Sequence, residues 1–582
     1  MKKVSDIVID FLIEKKITDA FTISGGGCIH LIDSLRKSKE SITSYCFHHE
    51  QAIAMAAEGY YRQSNKLCAN IVTTGPGGTN TITGLLGMWL DSIPGFFISG
   101  QVSRSQLSAN TGCRQIGDQE FDIVKMVSSA TKYAVTILNP EDILYELEKA
   151  YHISLNGRPG PVWIDIPLDI QGAFVKEESL KKYTNNNITN SIDPNQIEVI
   201  YNMIQKCQKP LVIIGNGICL SKTSKELLSF LKHLNLPVVT GPHSGVDCVD
   251  NTYENYMGRI GILGQLSSNK IVQEADLLIC LGTRLPVKMT GYNTKEFSPS
   301  SKKIIIDIDR NEINKHQFNI DIKICGKLEE FFEIIKEYPK IEAKQEWISY
   351  LKQVRSEQVY SYPKHKNLKD YVSFYELIEQ ASGIWKKETI VTSNGTAHVV
   401  TLQTYQLNSE QKLFTNVGCA SMGFGLPASI GACIGNKLSP TICVEGDGSI
   451  MMNLQELQTI KHYNLPITII LINNDGYLSI KQTQESFFDG NEFASGPDSG
   501  VTFPNFKSLI ESFNIAYMKI SDNNEIRSML KAAQEYNGPC VVEVFTHPRE
   551  KHEPKVVHKG VDSNGRIIPG SLTNMFISEG FE

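Results

Sequence analysis

Two stretches decide the fold: TICVEGDGS over Thr441–Ser449 and ITIILINNDGY over Ile467–Tyr477. Each is a short apolar run closing on glycine and an oxygen-bearing side chain, and the helical pattern MNLQELQTIKHY lies between them. Strand, helix and strand at this spacing form a βαβ unit. Its two parallel strands end on one carboxyl edge, where open α/β sheets bind ligands. Asp447 on one strand end can therefore meet the Asn474 amide oxygen on the next, around one cation. Hard oxygen ligands beside glycines that admit phosphate to the backbone suit Mg²⁺ bridging a diphosphate. Either turn alone would read as an ordinary strand ending; the pair, one crossover apart, does not. Gly446, Gly448, Ser449 and Tyr477 become candidate cofactor contacts.

Outward from this pair, Thr389–Thr392 and Cys540–Val544 read as further buried strands of the same unit. A central unit carries Leu211–Ile214, Pro237–Thr240, Leu277–Leu281 and Lys303–Asp307. A first unit carries Asn70–Thr73, Phe96–Ile98 and Pro161–Ile166. The polar run KKYTNNNITNSIDPN over Lys181–Asn195 reads as a linker. The expected architecture is three doubly wound α/β domains with mainly parallel sheets: 1–180, 190–345 and 365–550, followed by a tail over 551–582. The stretch after Pro569 reads equally as a cover for the site or as an exposed tail.

With 582 residues the chain is long enough for three cores, and 44 glycines against four tryptophans suit many βα turns. A formal charge of −6 argues against a general nucleic-acid binder. No apolar run approaches the roughly 18 residues of a membrane span. MKKVSDIVIDFLIEKK reads as a first amphipathic helix, not a signal peptide. Thirteen cysteines, none in a CxxC pair, read as reduced thiols of a cytoplasmic protein rather than disulfides or zinc ligands.

The GDG-then-NN pattern resembles the thiamine-diphosphate signature of the decarboxylase and acetohydroxyacid synthase superfamily, and the likeness extends along nearly the whole chain. It includes His48-His49-Glu50-Gln51-Ala52, GPGGTN at Gly75–Asn80, DSIPGFFISGQV at Asp91–Val102, RPGPVWIDIPLDIQ at Arg158–Gln171, and ASMGFGLP at Ala420–Pro427. The resemblance implies that Glu50 hydrogen-bonds N1′ of the cofactor's aminopyrimidine and drives its imino tautomer, which removes the C2 proton. It implies that Met422 props the bent cofactor, that the Ala420 carbonyl accepts from its amine, and that Asp447, Asn474 and Gly476 hold Mg²⁺. Ser24, Gly25, Asn80 and Gly395 join the expected cofactor contacts. The cofactor supplies the electron sink for loss of CO₂ from a 2-keto acid. The family architecture implies a homodimer or homotetramer, with Glu50 meeting a cofactor held by another subunit's Asp447.

Departures from the family pattern bear on the acceptor. Ile480 stands where simple decarboxylases carry Glu, and Arg114–Glu120 replaces their adjacent-histidine pair, which favours carboligation over aldehyde release. Asp118-Gln119-Glu120 resembles the synthases' FQE, making Gln119 a candidate catalytic residue, with Gln101, Gln115, Ile480 and Thr483 in the substrate pocket. Thr483 replaces a pocket-narrowing Trp, and GQHQ becomes Gly395-Thr396-Ala397-His398. The tail and the segment Gly282–Asn293 resemble synthase-like enzymes of surface-sugar pathways. The expected acceptor is therefore a second carbonyl on a larger molecule, a keto group of a nucleotide-linked sugar, with pyruvate as donor. The alternatives are an acetolactate synthase, which predicts tight FAD binding, and a non-ligating decarboxylase. A silent binding subunit and a redox enzyme rank below these. The central Gly215-Asn216-Gly217 is a weak dinucleotide signal. Arg284–Gly291 lacks both acids of the family's flavin segment, so FAD is disfavoured.

Overall fold

The structure is a computed structural model. It describes every residue except 110, 186–190, 243–244, 489, 562, 564–566 and 581–582. The middle of the expected linker thus lies outside the described residues.

Three six-stranded sheets, each wholly parallel, follow one another along the chain. The first runs Thr43–Cys46, Asp19–Thr22, Ala69–Val72, Phe96–Gln101, Val162–Pro167, Tyr133–Thr136 across its width. The third runs Leu413–Phe414, Thr389–Thr392, Thr441–Gly446, Ile467–Asn473, Cys540–Phe545, Ala516–Ile520. Counted in chain order within each sheet, both read 2-1-3-4-6-5. The two outer domains are therefore copies of one topology, a repeat invisible in the sequence. The central sheet reads 3-2-1-4-5-6, the dinucleotide-fold order. In each sheet strand direction and crossover put a switch point beside the first strand, where ligand crevices form.

The inner strands are buried on both faces because helices cover both sides. The helix expected at the N-terminus spans Val4–Glu14, and its apolar face, including Val8, Phe11 and Leu12, is buried.

The outer domains meet through Glu50–Ser64 crossing Gly425–Gly435. Here glycine is required by close approach: a Cβ on Gly59 would lie 2.0 Å from the Ala428 carbonyl oxygen, and one on Gly431 1.8 Å from that of Ala56. The backbones touch, which locks the two domains in register.

One expectation needs correction, and one reading left open is narrowed. Cys219 and Cys248 form a disulfide, while the other eleven cysteines are free. Their 29-residue separation hides a neighbourhood that adjacent parallel strands create. The tail is also not an exposed appendage. Lys555–Val556 pairs with Met575–Phe576, Leu572 is fully buried in the central core, and Asn269 donates to its carbonyl at 3.1 Å. No helix among the described residues is long and apolar enough to cross a membrane.

Candidate active site

In the third domain, strands Thr441–Gly446 and Ile467–Asn473 pair in parallel and deliver Asp447 and Asn474 to one edge. Asp447 is 3% exposed. Its carboxylate accepts the backbone N–H of Gly448 at 2.7 Å, Asn474 at 2.9 Å and Gly476 at 3.3 Å. Burial nevertheless pushes its carboxyl up to about 6. Beside it, Asn474 Oδ1 is buried with no hydrogen-bond partner among the described residues. An orphaned buried acceptor is costly in a folded protein, and next to a buried carboxylate it is what a divalent cation would satisfy. Gly476 has φ +142 and no room for a Cβ, which would meet the Ser495 carbonyl at 2.4 Å.

Gly448 makes way for the Tyr477 ring, 2.3 Å from where its Cβ would stand. At Gly446 a Cβ would meet nothing closer than 4.0 Å, so that space is a cradle rather than a packing constraint. Gly395, at φ +56, opens the helix Gly395–Thr404 on the same edge. The Ser449 hydroxyl is engaged within the protein, 2.7 Å from Ser393 Oγ and accepting from Gly423 N–H at 2.8 Å. It fixes the turn leading to Met422, itself half-buried.

In the first domain the same edge gathers Ser24–Gly25, Glu50 and Thr73–Asn80, each beyond a strand, and Gln101 at the end of one. Glu50 begins its helix, His49 capping it by accepting Gln51 N–H at 3.1 Å. Asn80 Nδ2 donates to Glu50 Oε2 at 2.9 Å. Gly25 sits where a Cβ would strike Thr73 at 2.6 Å, whereas Ser24 is exposed. Gln101 accepts from Thr74 Oγ1 at 2.7 Å and donates to the Phe121 carbonyl at 2.9 Å. Exposed Gln119 has φ +59, with its carbonyl 3.4 Å from Thr74 Oγ1, and Gln115 donates to the Glu120 carbonyl at 3.1 Å. Glu50, Gln101, Gln115 and Gln119 thus share one loop cluster. No hydrogen bond among the described residues joins Glu50 to Asp447 or Asn474 in the same chain.

On the helix Leu478–Phe487, Ile480 and Thr483 are exposed, and Thr483 Oγ1 donates to the Ser479 carbonyl at 2.9 Å. Gln482 instead turns inward, donating to the Glu550 carbonyl at 3.0 Å. Sequence reading missed His552. It is buried in the tail, its ring 3.0 Å from Thr396 Oγ1, which lies 3.3 Å from Ser479 Oγ. Burial pushes the imidazole down to about 3, so it is neutral near pH 7. Only its position beyond the last strand could have flagged it.

The central sheet opens at its switch point into a cavity of about 550 Å³, lined by Gly217, Thr283, Arg284, Asp307 and Lys327, with Arg158 reaching in from the first domain. That volume falls in the range of ligand sites. Asp307, an acid at a strand end some 90 residues after the GxG, is the feature that local motif reading could not connect.

Family models match three segments: the thiamine pyrophosphate enzyme N-terminal TPP binding domain over 2–126, the central domain over 197–335, and the C-terminal TPP binding domain over 393–544. The chain belongs to the thiamine pyrophosphate enzyme family. It is 31% identical over 538 residues to the acetolactate synthase large subunit of Buchnera aphidicola subsp. Schizaphis graminum, covering 90% of this chain and 91% of the relative. It is 29% identical over 590 residues to that of Haemophilus influenzae, covering 99% and 100%. It is 30% identical over 551 residues to the isozyme 2 large subunit of Escherichia coli K12, covering 94% and 96%. This chain is therefore a thiamine-diphosphate-dependent, acetolactate-synthase-like enzyme. The likeness supports the acetolactate synthase alternative and lends nothing to a nucleotide-linked sugar.

Proposed function

We propose that this chain condenses two 2-keto acids, pyruvate as donor and a second keto acid as acceptor, with loss of one CO₂, as an acetolactate synthase does. The observation that carries the reading is the buried Asp447 carboxylate beside the unpartnered Asn474 amide oxygen. It occurs in a chain whose relatives, matched over nine-tenths of their length, are acetolactate synthases. Thiamine diphosphate, when bound, supplies the nucleophilic carbon and the electron sink for decarboxylation.

The protein's part is binding, orientation and proton control. Asp447, Asn474 and the Gly476 carbonyl hold Mg²⁺ on the diphosphate, with Gly395, Gly446 and Gly448 giving backbone access to it. The Ala420 carbonyl accepts from the aminopyrimidine amine, and Met422 supports the ring system. Glu50, set by Asn80, holds the proton at N1′. Gln101, Gln115 and Gln119 face the keto acid. Among the described residues no hydrogen bond joins Glu50 to its own chain's Asp447, and this supports a site shared between subunits of a homodimer or homotetramer. In the same reading the central cavity is the place for FAD, against the loss of both acids of the flavin segment at Arg284–Gly291.

A second reading rests on the exposed Thr483 and Ile480, which leave the approach open to an acceptor larger than a keto acid. Carbon NMR of labelled pyruvate with enzyme, thiamine diphosphate and Mg²⁺, with and without a nucleotide keto-sugar, separates the two. Abundant acetolactate without the sugar establishes the first reading. Slow turnover alone, with a labelled two-carbon branch appearing on the sugar, overturns it in favour of the second.

A further inference from the structure

The turn Asn416–Ala420 ends in a residue under strain. Ala420 has φ +51, a left-handed conformation that a side-chain-bearing residue adopts only when its surroundings enforce it. Two side chains enforce it here. Asn416 Oδ1 accepts the N–H of Cys419 and of Ala420, both at 3.1 Å. Asp91 of the first domain accepts the N–H of Val417 and of Gly418, both at 2.8 Å.

Those two acceptors are themselves fixed from the helix that begins at Glu50. Asn416 Nδ2 donates to both oxygens of Glu58, at 3.1 and 2.8 Å. Arg62, one turn further along, bridges Glu58 at 2.7 Å and Asp91 at 2.6 Å. Glu58 and Asn416 are buried, and the Arg62 and Asp91 side chains are under one-tenth exposed. There is no slack. A Cβ on Gly87 would press Asn416 Nδ2 at 2.7 Å, and one on Gly418 would press Leu90 Cβ at 2.5 Å. Four consecutive backbone N–H groups, 417 to 420, are thus held by a closed, charged network spanning two domains, which fixes the peptide plane entering Ala420 and, through that residue's left-handed φ, the direction in which its carbonyl leaves.

We propose that Glu58, Arg62, Asp91 and Asn416 are positioning residues that aim the Ala420 carbonyl at the aminopyrimidine amine of the cofactor. The first domain of a subunit thereby sets the geometry of the cofactor held by that subunit's own third domain. The proposal rests on the reading of Ala420 given above. None of the four touches the reacting atoms; they act through the turn. A network of this kind stabilises one peptide orientation, and small misplacements of a catalytic contact cost large factors in rate.

The test uses full-length Asn416→Ala, Glu58→Ala and Glu58→Gln with two exchange readouts and a measurement of cofactor affinity. In cofactor-free protein, amide hydrogen exchange at 417–420 should rise by at least about tenfold in Asn416→Ala and Glu58→Ala. With saturating thiamine diphosphate and Mg²⁺, exchange of the cofactor's C2 proton should fall by at least about tenfold in both. Cofactor affinity should move less than about threefold, because Asp447, Asn474 and Gly476 are untouched. Glu58→Gln keeps an acceptor for Asn416 Nδ2 and should recover most of both signals, which also covers the case where an alanine variant misfolds. C2 exchange at the wild-type rate with the turn amides freely exchanging would overturn the proposal. So would a loss of affinity that matches the loss of rate. No acceleration of C2 exchange by the wild-type protein would overturn the Ala420 reading itself, and the proposal with it, while leaving the apo amide protection intact as the mark of which had failed.

Discussion

Replacing Asn474 by leucine should reverse its effect on stability according to whether metal is present. The Asn474 amide oxygen is buried beside a buried carboxylate with no hydrogen-bond partner among the described residues, and such an acceptor costs about 1–3 kcal/mol. Leucine has the same number of side-chain heavy atoms and no polar group, so in EDTA the variant should gain about 1–2 kcal/mol. For a domain of this size that is about 2–8 °C in melting temperature. With Mg²⁺ and thiamine diphosphate at about 100 times their dissociation constant, the wild type should gain about 2.7 kcal/mol. The variant, lacking a metal ligand, should gain little and lose its activity. Calorimetry in EDTA and in saturating cofactor reads both effects on the same protein. A variant that melts several degrees below wild type in EDTA would refute the reasoning, as would one that gains as much from Mg²⁺ as wild type does.

Three further outcomes follow from other parts of the molecule. Asp165 is fully buried, and burial raises its carboxyl from 3.8 to about 7 against hydrogen bonds from Ser99, Gln101 and Thr136. A raised carboxyl contributes stability that is complete below pH 3.8 and lost as pH climbs through 7, on the order of 4 kcal/mol. Asp165→Asn should therefore flatten the fall in melting temperature between pH 5 and 8, and an unchanged slope would sink the argument. Mixing Glu50→Gln with Asp447→Asn subunits, each inactive alone, should restore about a quarter of wild-type activity if each site takes one residue from either chain of a symmetric dimer; no recovery means both residues serve one chain's site. Protein purified without added flavin should carry a flavin absorbance band if the central cavity takes FAD, and colourless, fully active protein would remove FAD from the account.

How much of this was legible in the sequence depended on burial. Strands such as Leu277–Leu281 and Ile467–Asn473 lie inside their sheets, are buried on both faces, and so read as unbroken apolar runs. The strands that escaped notice lie mostly at the edges: Thr43–Cys46, Tyr133–Thr136, Ile322–Cys325 and Ala516–Ile520. They are partly exposed and carry mixed residues because one flank has no neighbour. The site divides in the same way. Asp447 and Asn474 were legible because one crossover separates them, so local spacing carries the geometry. Asp307 in the cavity, His552 against Thr396, and the Glu58–Asn416 pair join residues about 90 to 360 positions apart. No local pattern encodes such contacts; they appear only once three sheets and a crossing helix pair have set the distances. The Cys219–Cys248 disulfide was missed for the same reason.

The most direct test is a mass balance: purified enzyme with thiamine diphosphate, Mg²⁺ and pyruvate alone, with CO₂, acetolactate and acetaldehyde measured together. The account predicts one acetolactate for each CO₂ released and no accumulation of acetaldehyde. Acetaldehyde matching CO₂ would contradict it and make the chain a non-ligating decarboxylase.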